Sequence, residues 1–252
     1  MNMELKGKVS IITGGGTGIG KACALRFARE GSRIVVAGLD MHPLEEVVTE
    51  IESLGGESMA LRSDVGLVEE TERIIDATID RFGQIDILVN NAATVDLSRS
   101  IENMTADEWD RCLNASLRSV FLLSKRALPH LKKAEGGVII NLGSVGAVTP
   151  WGEGGAYCAA KAGVIALTKV LAIEFGPSNI RVNCISPGAI MTPNLQNAIS
   201  HFHHYDKLCA KSVFNRVGKP EEIANAAVFL ASAEASFITA TNLFVDGGYI
   251  TL

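Results

Sequence analysis

Short apolar runs alternate with stretches of helical period along the whole chain. Residues 9–13, 33–38, 57–64, 85–92, 138–144, 181–187 and 243–246 are β-rich and of strand length. Between them lie the amphipathic stretches 21–30, 43–54, 68–82 and 221–231. Several strands are apolar almost throughout, as in Ile85-Asp86-Ile87-Leu88-Val89, which is the pattern of a strand covered on both faces. Strand–helix alternation of this kind predicts an α/β fold: a doubly wound parallel sheet of about seven strands with helices on both faces. No repeat, low-complexity tract or linker interrupts the pattern, so residues 1–252 are expected to form one domain.

Composition narrows the possible roles. The 252 residues are 47% apolar and 20% charged, with a net charge of −5. That leaves no basic footprint for nucleic acid. No unbroken apolar run approaches the ~18–20 residues of a membrane span, and Met1–Lys6 carries no apolar secretory core. Neither nucleic acid nor membrane is therefore expected as a partner. The five cysteines, Cys23, Cys112, Cys158, Cys184 and Cys209, are scattered and form no C-x-x-C pair. Reduced thiols in a cytoplasmic protein are expected, with neither disulfides nor zinc.

Two local patterns carry candidate chemistry. Val9–Thr13 is followed at once by Gly14-Gly15-Gly16-Thr17-Gly18-Ile19-Gly20 and then a helical stretch. A glycine-rich turn between strand and helix lets backbone approach a pyrophosphate at the helix N-terminus. The spacing is G-x-x-x-G-x-G, so the turn shares the mechanics of the G-x-G-x-x-G fingerprint without its pattern. The second pattern is Tyr157-Cys158-Ala159-Ala160-Lys161. Residues i and i+4 share a helix face, so the Lys161 ammonium is expected beside the Tyr157 phenol. A neighbouring cation favours phenolate and brings the group into range for acid–base work.

With these motifs the sequence resembles the short-chain dehydrogenase/reductase family over nearly its whole length. Thr13–Gly20 is similar to the family's T-G-x-x-x-G-I-G, and Asn90-Asn91-Ala92-Ala93 to its N-N-A-G, with Ala93 in place of glycine. Asn114 matches the helix asparagine, Ser144 the strand-end serine, and Tyr157 with Lys161 the Y-x-x-x-K pair. Pro187-Gly188-Ala189-Ile190-Met191-Thr192 matches P-G-x-I-x-T, and Asp246-Gly247-Gly248 matches the carboxy-terminal D-G-G. The resemblance implies a Rossmann-type fold and hydride transfer between a nicotinamide cofactor and a secondary alcohol or ketone.

In that reading Tyr157 is the general acid/base and Ser144 holds the substrate oxygen. Lys161 lowers the tyrosine pKa and bonds the nicotinamide ribose, while Asn114 holds a water that links Lys161 to solvent. The resemblance further assigns Gly14, Thr17, Gly18, Ile19 and Gly20 to the phosphates, Asp64 and Val65 to the adenine, and Asn91 and Ala92 to the adenosine ribose and diphosphate. Pro187, Ile190 and Thr192 fall beside the carboxamide and phosphate. Asp64 also reads as a helix cap before Glu69-Glu70. At the end of the second strand, Gly38 stands where NAD-dependent members carry an acid, and Leu39 where NADP-dependent members carry arginine. The lack of arginine and the presence of Asp40 favour NAD, with NADP left open; Asp40 reads equally as a helix cap.

Residues 192–217 are expected to contain the substrate lid. Leu195, Ile199, Phe202, Tyr205, Leu208 and Phe214 line either a pocket or the packed face of two helices. Val95, Leu97, Trp151 and Glu153 are further candidates for shaping the pocket. The tract His201-Phe202-His203-His204 lacks a companion ligand, so no metal is expected. Two alternatives stand beside the alcohol/ketone reading: a 3-oxoacyl thioester (acyl-carrier-protein) reductase, with Arg118 and Arg126 as candidate cations, and a non-catalytic cofactor-binding regulator. The family's wider Tyr–Lys spacing in enoyl reductases favours carbonyl chemistry here. The resemblance also implies a homotetramer packed through two long helices, residues 107–132 and 157–175.

Overall fold

The protein is described by a computed structural model covering residues 4–94, 99–134, 136–202 and 205–252, with the side chains of 198–202 left undescribed. Val95, Leu97, His203 and His204 therefore lie outside the described residues, as do the side chains of Ile199, His201 and Phe202.

Seven strands alternate with helices: β1 (Val9–Thr13), α1 (Gly18–Arg29), β2 (Arg33–Gly38), α2 (Met41–Ser53), β3 (Ser58–Arg62), α3 (Val68–Phe82) and β4 (Ile87–Asn90) form the first half. The second half runs α4 (Ala106–Leu113), α5 (Ser119–Leu131), β5 (Val138–Leu142), α6 (Gly155–Phe175), β6 (Arg181–Pro187), α7 (Pro193–Phe202), α8 (Tyr205–Cys209), α9 (Pro220–Ala231) and β7 (Asn242–Val245). Every strand pairing is parallel, in the order β3-β2-β1-β4-β5-β6-β7. This is the doubly wound Rossmann-type sheet that the alternation predicts.

The side-chain period of the strands explains the two layers of core. Ile12, Ile34, Val36, Val89 and Ile140 point to one face, where Phe27, Leu44, Val47 and Ile223 of α1, α2 and α9 cover them. Ile11, Val35, Leu88, Ile139 and Val182 point to the other, under Ile74, Leu123, Leu131 and Phe175 of α3, α5 and α6. β1, β4 and β5 are buried at every position, so alternation of polar and apolar residues is absent there. The half-buried β3 and β7 form the edges.

Several element ends differ from the sequence expectation, each for a local reason. β4 begins at Ile87 because the buried Asp86 turns its carboxylate to the start of β1, accepting from Val9 N–H at 2.8 Å and Lys8 Nζ at 3.1 Å. β3 stops at Arg62, and Asp64 then accepts from Gly66 N–H at 2.9 Å. The helix cap expected of Asp64 falls instead on Leu67, so the Asp64 carboxylate closes a loop turn. Asp40 does cap its helix, accepting from His42 N–H at 3.2 Å.

The helix expected over 107–132 runs through α4 and α5 without a gap but is not uniform. Thr105 and Glu108 start α4 with a reciprocal capping box. At Asn114–Arg118 the helix then widens into a π turn in which Ser119 N–H donates to Asn114 O, five residues back. By length and composition α6 and its continuation to Ser178 would suffice to cross a membrane, a property hidden by its scattered charges. Here α6 lies against the sheet, with Val164, Thr168, Leu171 and Phe175 buried.

Candidate active site

Strand order reverses between β1 and its two neighbours, β2 and β4, and the crevice outside the carboxyl ends of such strands is where open α/β sheets bind ligands. The candidate residues collect along that edge: the glycine loop after β1, Asn91 after β4, Ser144 after β5, and Ile190 with Thr192 after β6. Tyr157 and Lys161 arrive from the first turns of α6.

The loop after β1 is held from beneath. Asn91 donates Nδ2 to Thr13 O (2.8 Å) and Gly14 O (3.2 Å), while Thr13 Oγ1 accepts from Asn91 N–H (3.1 Å) and Ala92 N–H (3.0 Å). The Asn91 amide protons thus position the loop rather than face a ligand. Gly14 and Gly18 adopt positive φ of 62° and 53°, a conformation open to glycine. At Gly18 the chain passes under Thr192, whose Cγ2 would lie 3.0 Å from a β-carbon there. Gly20 packs so tightly that a β-carbon would collide with Gly14 O and stand 2.7 Å from Asn91 Nδ2. Replacing Gly20 by alanine is accordingly expected to weaken NADH binding at least tenfold (~1.4 kcal/mol). It should also cost about 1–3 kcal/mol of stability, as overpacking does. Fluorescence titration and urea unfolding check both values; unaltered binding and stability would contradict this packing.

The N-terminus of α1 has no side-chain cap at Thr17 and no acidic residue in its first turn. Its positive dipole end and first N–H groups therefore suit a phosphate rather than a protein carboxylate. At the outer end of the crevice Leu39 is exposed, and Arg62 donates Nε to Leu39 O at 3.2 Å. Val65 is buried and Asp64 exposed beside it.

Ser144 accepts from Gly146 N–H at 3.0 Å, which fixes its hydroxyl oxygen at the end of β5. The Ser144 hydroxyl lies close enough to the Tyr157 phenol to lower its pKa. Burial pushes the Tyr157 phenol up to about 12, against a smaller lowering by Ser144. Burial outweighs any lowering of the phenol in this arrangement. The buried Lys161 Nζ donates to Leu142 O at 2.6 Å and lies 5.7 Å from the centre of the Tyr157 ring, and burial brings its own pKa down to about 8. The helix spacing predicts the neighbourhood of the ring; the Leu142 carbonyl decides where the ammonium points.

Asn114 stands at the first position of the π turn, which packs on α6 where Leu117 meets Gly163. Ser116 of the same turn accepts from Thr94 N–H at 3.2 Å. Among the described residues no group of three His, Cys, Asp or Glu could hold a metal ion. Cys23, Cys112, Cys158 and Cys184 are buried. Thr13 and the Leu142 carbonyl were not singled out from sequence. Thr13 stood inside the glycine motif as a signal, whereas a backbone acceptor leaves none.

A family model described as Enoyl-(Acyl carrier protein) reductase matches residues 14–250. The chain is 40% identical over 249 residues to 3β-hydroxysteroid dehydrogenase 1 from Eggerthella lenta, covering 97% of this chain and 94% of that protein. It is 35% identical over 250 residues to a 3-oxoacyl-acyl-carrier-protein reductase from Thermotoga maritima, covering 98% and 100%. Among solved structures, a 7α-hydroxysteroid dehydrogenase complexed with NADH and 7-oxo glycochenodeoxycholic acid matches with a TM-score of 0.94 at 37% identity, covering 98% of this chain and 96% of that one.

Proposed function

The chain belongs to the short-chain dehydrogenase/reductase family, nicotinamide-dependent oxidoreductases of CH–OH groups, and from that premise we propose that it interconverts a secondary alcohol and its ketone with Tyr157 as general acid/base. The observation that carries this reading is the grouping of Ser144, at the end of β5, with Tyr157 and Lys161 of α6, the Lys161 Nζ lying 5.7 Å from the centre of the Tyr157 ring. The Ser144 and Tyr157 hydroxyls can both turn to one substrate oxygen there, as oxyanion donors do.

A nicotinamide held in this crevice would supply or accept the hydride. In reduction, Ser144 and Tyr157 donate to the ketone oxygen, and Tyr157 passes its proton to that oxygen as negative charge grows there. An alkoxide is a stronger base than a phenolate, so a phenol kept protonated by burial is well suited to this direction. Oxidation requires the phenolate and should gain as pH rises. Lys161 holds positive charge beneath the Tyr157 ring, and Asn114 is assigned the water that links it to solvent. Gly14, Thr17, Gly18, Ile19 and Gly20 hold the diphosphate, which the uncapped α1 suits. Asp64 and Val65 would hold the adenine, Asn91 and Ala92 support the loop from below, and Pro187, Ile190 and Thr192 would hold the nicotinamide end. The whole chain is read as one dinucleotide-binding unit with a lid at 192–217, acting in the cytoplasm as a homotetramer.

NAD is the proposed cofactor. Asp40 places a carboxylate beside Leu39, and Arg62 directs Nε to a loop carbonyl. A 2′-phosphate requires cationic or multiple donor partners. NADH is expected to bind at least tenfold more tightly than NADPH (~1.4 kcal/mol) in a fluorescence titration at fixed salt. Tighter NADPH would make Arg62 and His42 the phosphate donors and favour acyl thioester reduction, which the Thermotoga relative keeps in view. Against that second reading, Arg126 is paired with Glu72, and Arg118 donates to Gly66 O at 3.2 Å. The regulator reading is disfavoured by the presence of Asn114, Ser144, Tyr157 and Lys161 together.

A further inference from the structure

We propose that Trp151 is a specificity-determining wall of this site, selecting substrates whose carbonyl lies in a rigid alicyclic ring over open-chain ketones and acyl thioesters; the proposal rests on the alcohol/ketone reading above. The chain between Ser144 and Tyr157 folds its indole back onto the catalytic pair. The Trp151 and Tyr157 ring centres lie 6.1 Å apart with planes tilted by 41°.

Two glycines make that placement possible. A β-carbon at Gly146 would stand 2.5 Å from Trp151 Cζ3, and one at Gly154 would stand 2.8 Å from Nε1. Any side chain at either position would push the indole away. Gly146 is also the residue whose N–H donates to Ser144 Oγ, so the turn that fixes the serine oxygen also seats the tryptophan. The indole thus touches the backbone next to one oxygen-binding residue and the ring of the other.

Its remaining surface is open: Trp151 is 37% exposed, although most tryptophans are largely covered. Ile101, itself exposed, packs over Gly155 at the start of α6 and adds a second apolar surface near the same turn. A flat aromatic face complements the flat apolar face of a saturated ring. A ring also arrives preorganised, whereas an open chain must lose rotamer freedom to lie along the same wall.

The test compares cyclohexanone with 2-hexanone, two six-carbon ketones, using whichever of NADH or NADPH the enzyme binds more tightly. In Trp151→Ala the ratio of kcat/KM for cyclohexanone to that for 2-hexanone is expected to fall tenfold or more, with the loss mainly in cyclohexanone KM. Trp151→Phe, which keeps a flat ring, should hold the ratio within about threefold of the wild type (~0.6 kcal/mol). Cofactor affinity and thermal midpoint report whether each variant is folded, and Trp151→Phe decides the matter should the alanine variant not be. A ratio unmoved in Trp151→Ala, or lost equally in Trp151→Phe, would overturn the assignment while leaving ketone reduction intact. If the wild type reduces neither ketone, the alcohol/ketone reading falls and takes this assignment with it.

Discussion

Tyr157→Phe is expected to lower kcat for ketone reduction by about 10²- to 10⁴-fold, the range for loss of a positioned general acid. The substitution removes one oxygen from a half-buried ring and leaves the glycine loop, Asn91 and Thr13 untouched. Cofactor Kd should therefore stay within about threefold (~0.6 kcal/mol). Steady-state kinetics and fluorescence titration on the same preparation separate the two effects. Retained turnover would remove Tyr157 from the mechanism. Loss of binding and turnover together would mean that the phenol supports the fold or the cofactor rather than the proton transfer.

The second large effect is expected at Lys161. In the folded protein Lys161 loses its proton at about 8, against 10.5 when unperturbed, because burial penalises its charge. Between those values the unfolded chain holds the additional proton, so wild-type stability should rise with pH across that window. Below about pH 8 both states are protonated and the full penalty remains. A shift of this size corresponds to a differential on the order of 3 kcal/mol. Lys161→Met removes the titration, so the wild-type-minus-variant difference in unfolding free energy should climb as pH passes from 8 towards 10. Urea unfolding at several pH values measures it. The same variant is expected to lose turnover by about 10²-fold or more, because the ammonium proposed to hold the nicotinamide ribose is lost. A pH-independent stability difference would show that burial does not hold the Lys161 pKa down.

How far the sequence foretells this molecule depends on what sets each feature. The cores of the strands were legible because burial on both faces leaves continuous apolar runs, as in Ile87–Asn90. Their ends were not, because side-chain bonds to backbone decide them: Asp86 to Val9, Asp64 to Gly66, and Asn91 to Thr13 and Gly14. The widening of the helix at Asn114 was not foreseen, since a single π turn shifts the apolar period by only one residue within an otherwise continuous helix. Family motifs brought Ser144, Tyr157 and Lys161 into view. The direction of the Tyr157 pKa was not legible, because it follows from burial and from the Leu142 carbonyl that takes up the lysine. The fit of Trp151 against Gly146 and Gly154 likewise exists only once the turn has closed.

The central claim is direct hydride delivery to a carbonyl carbon. NADH bearing deuterium at both C4 positions, incubated with the wild-type enzyme and cyclohexanone, tests it by mass spectrometry of the product. The account predicts cyclohexanol with a single deuterium on the carbinol carbon. No alcohol, or alcohol without the label, would contradict it.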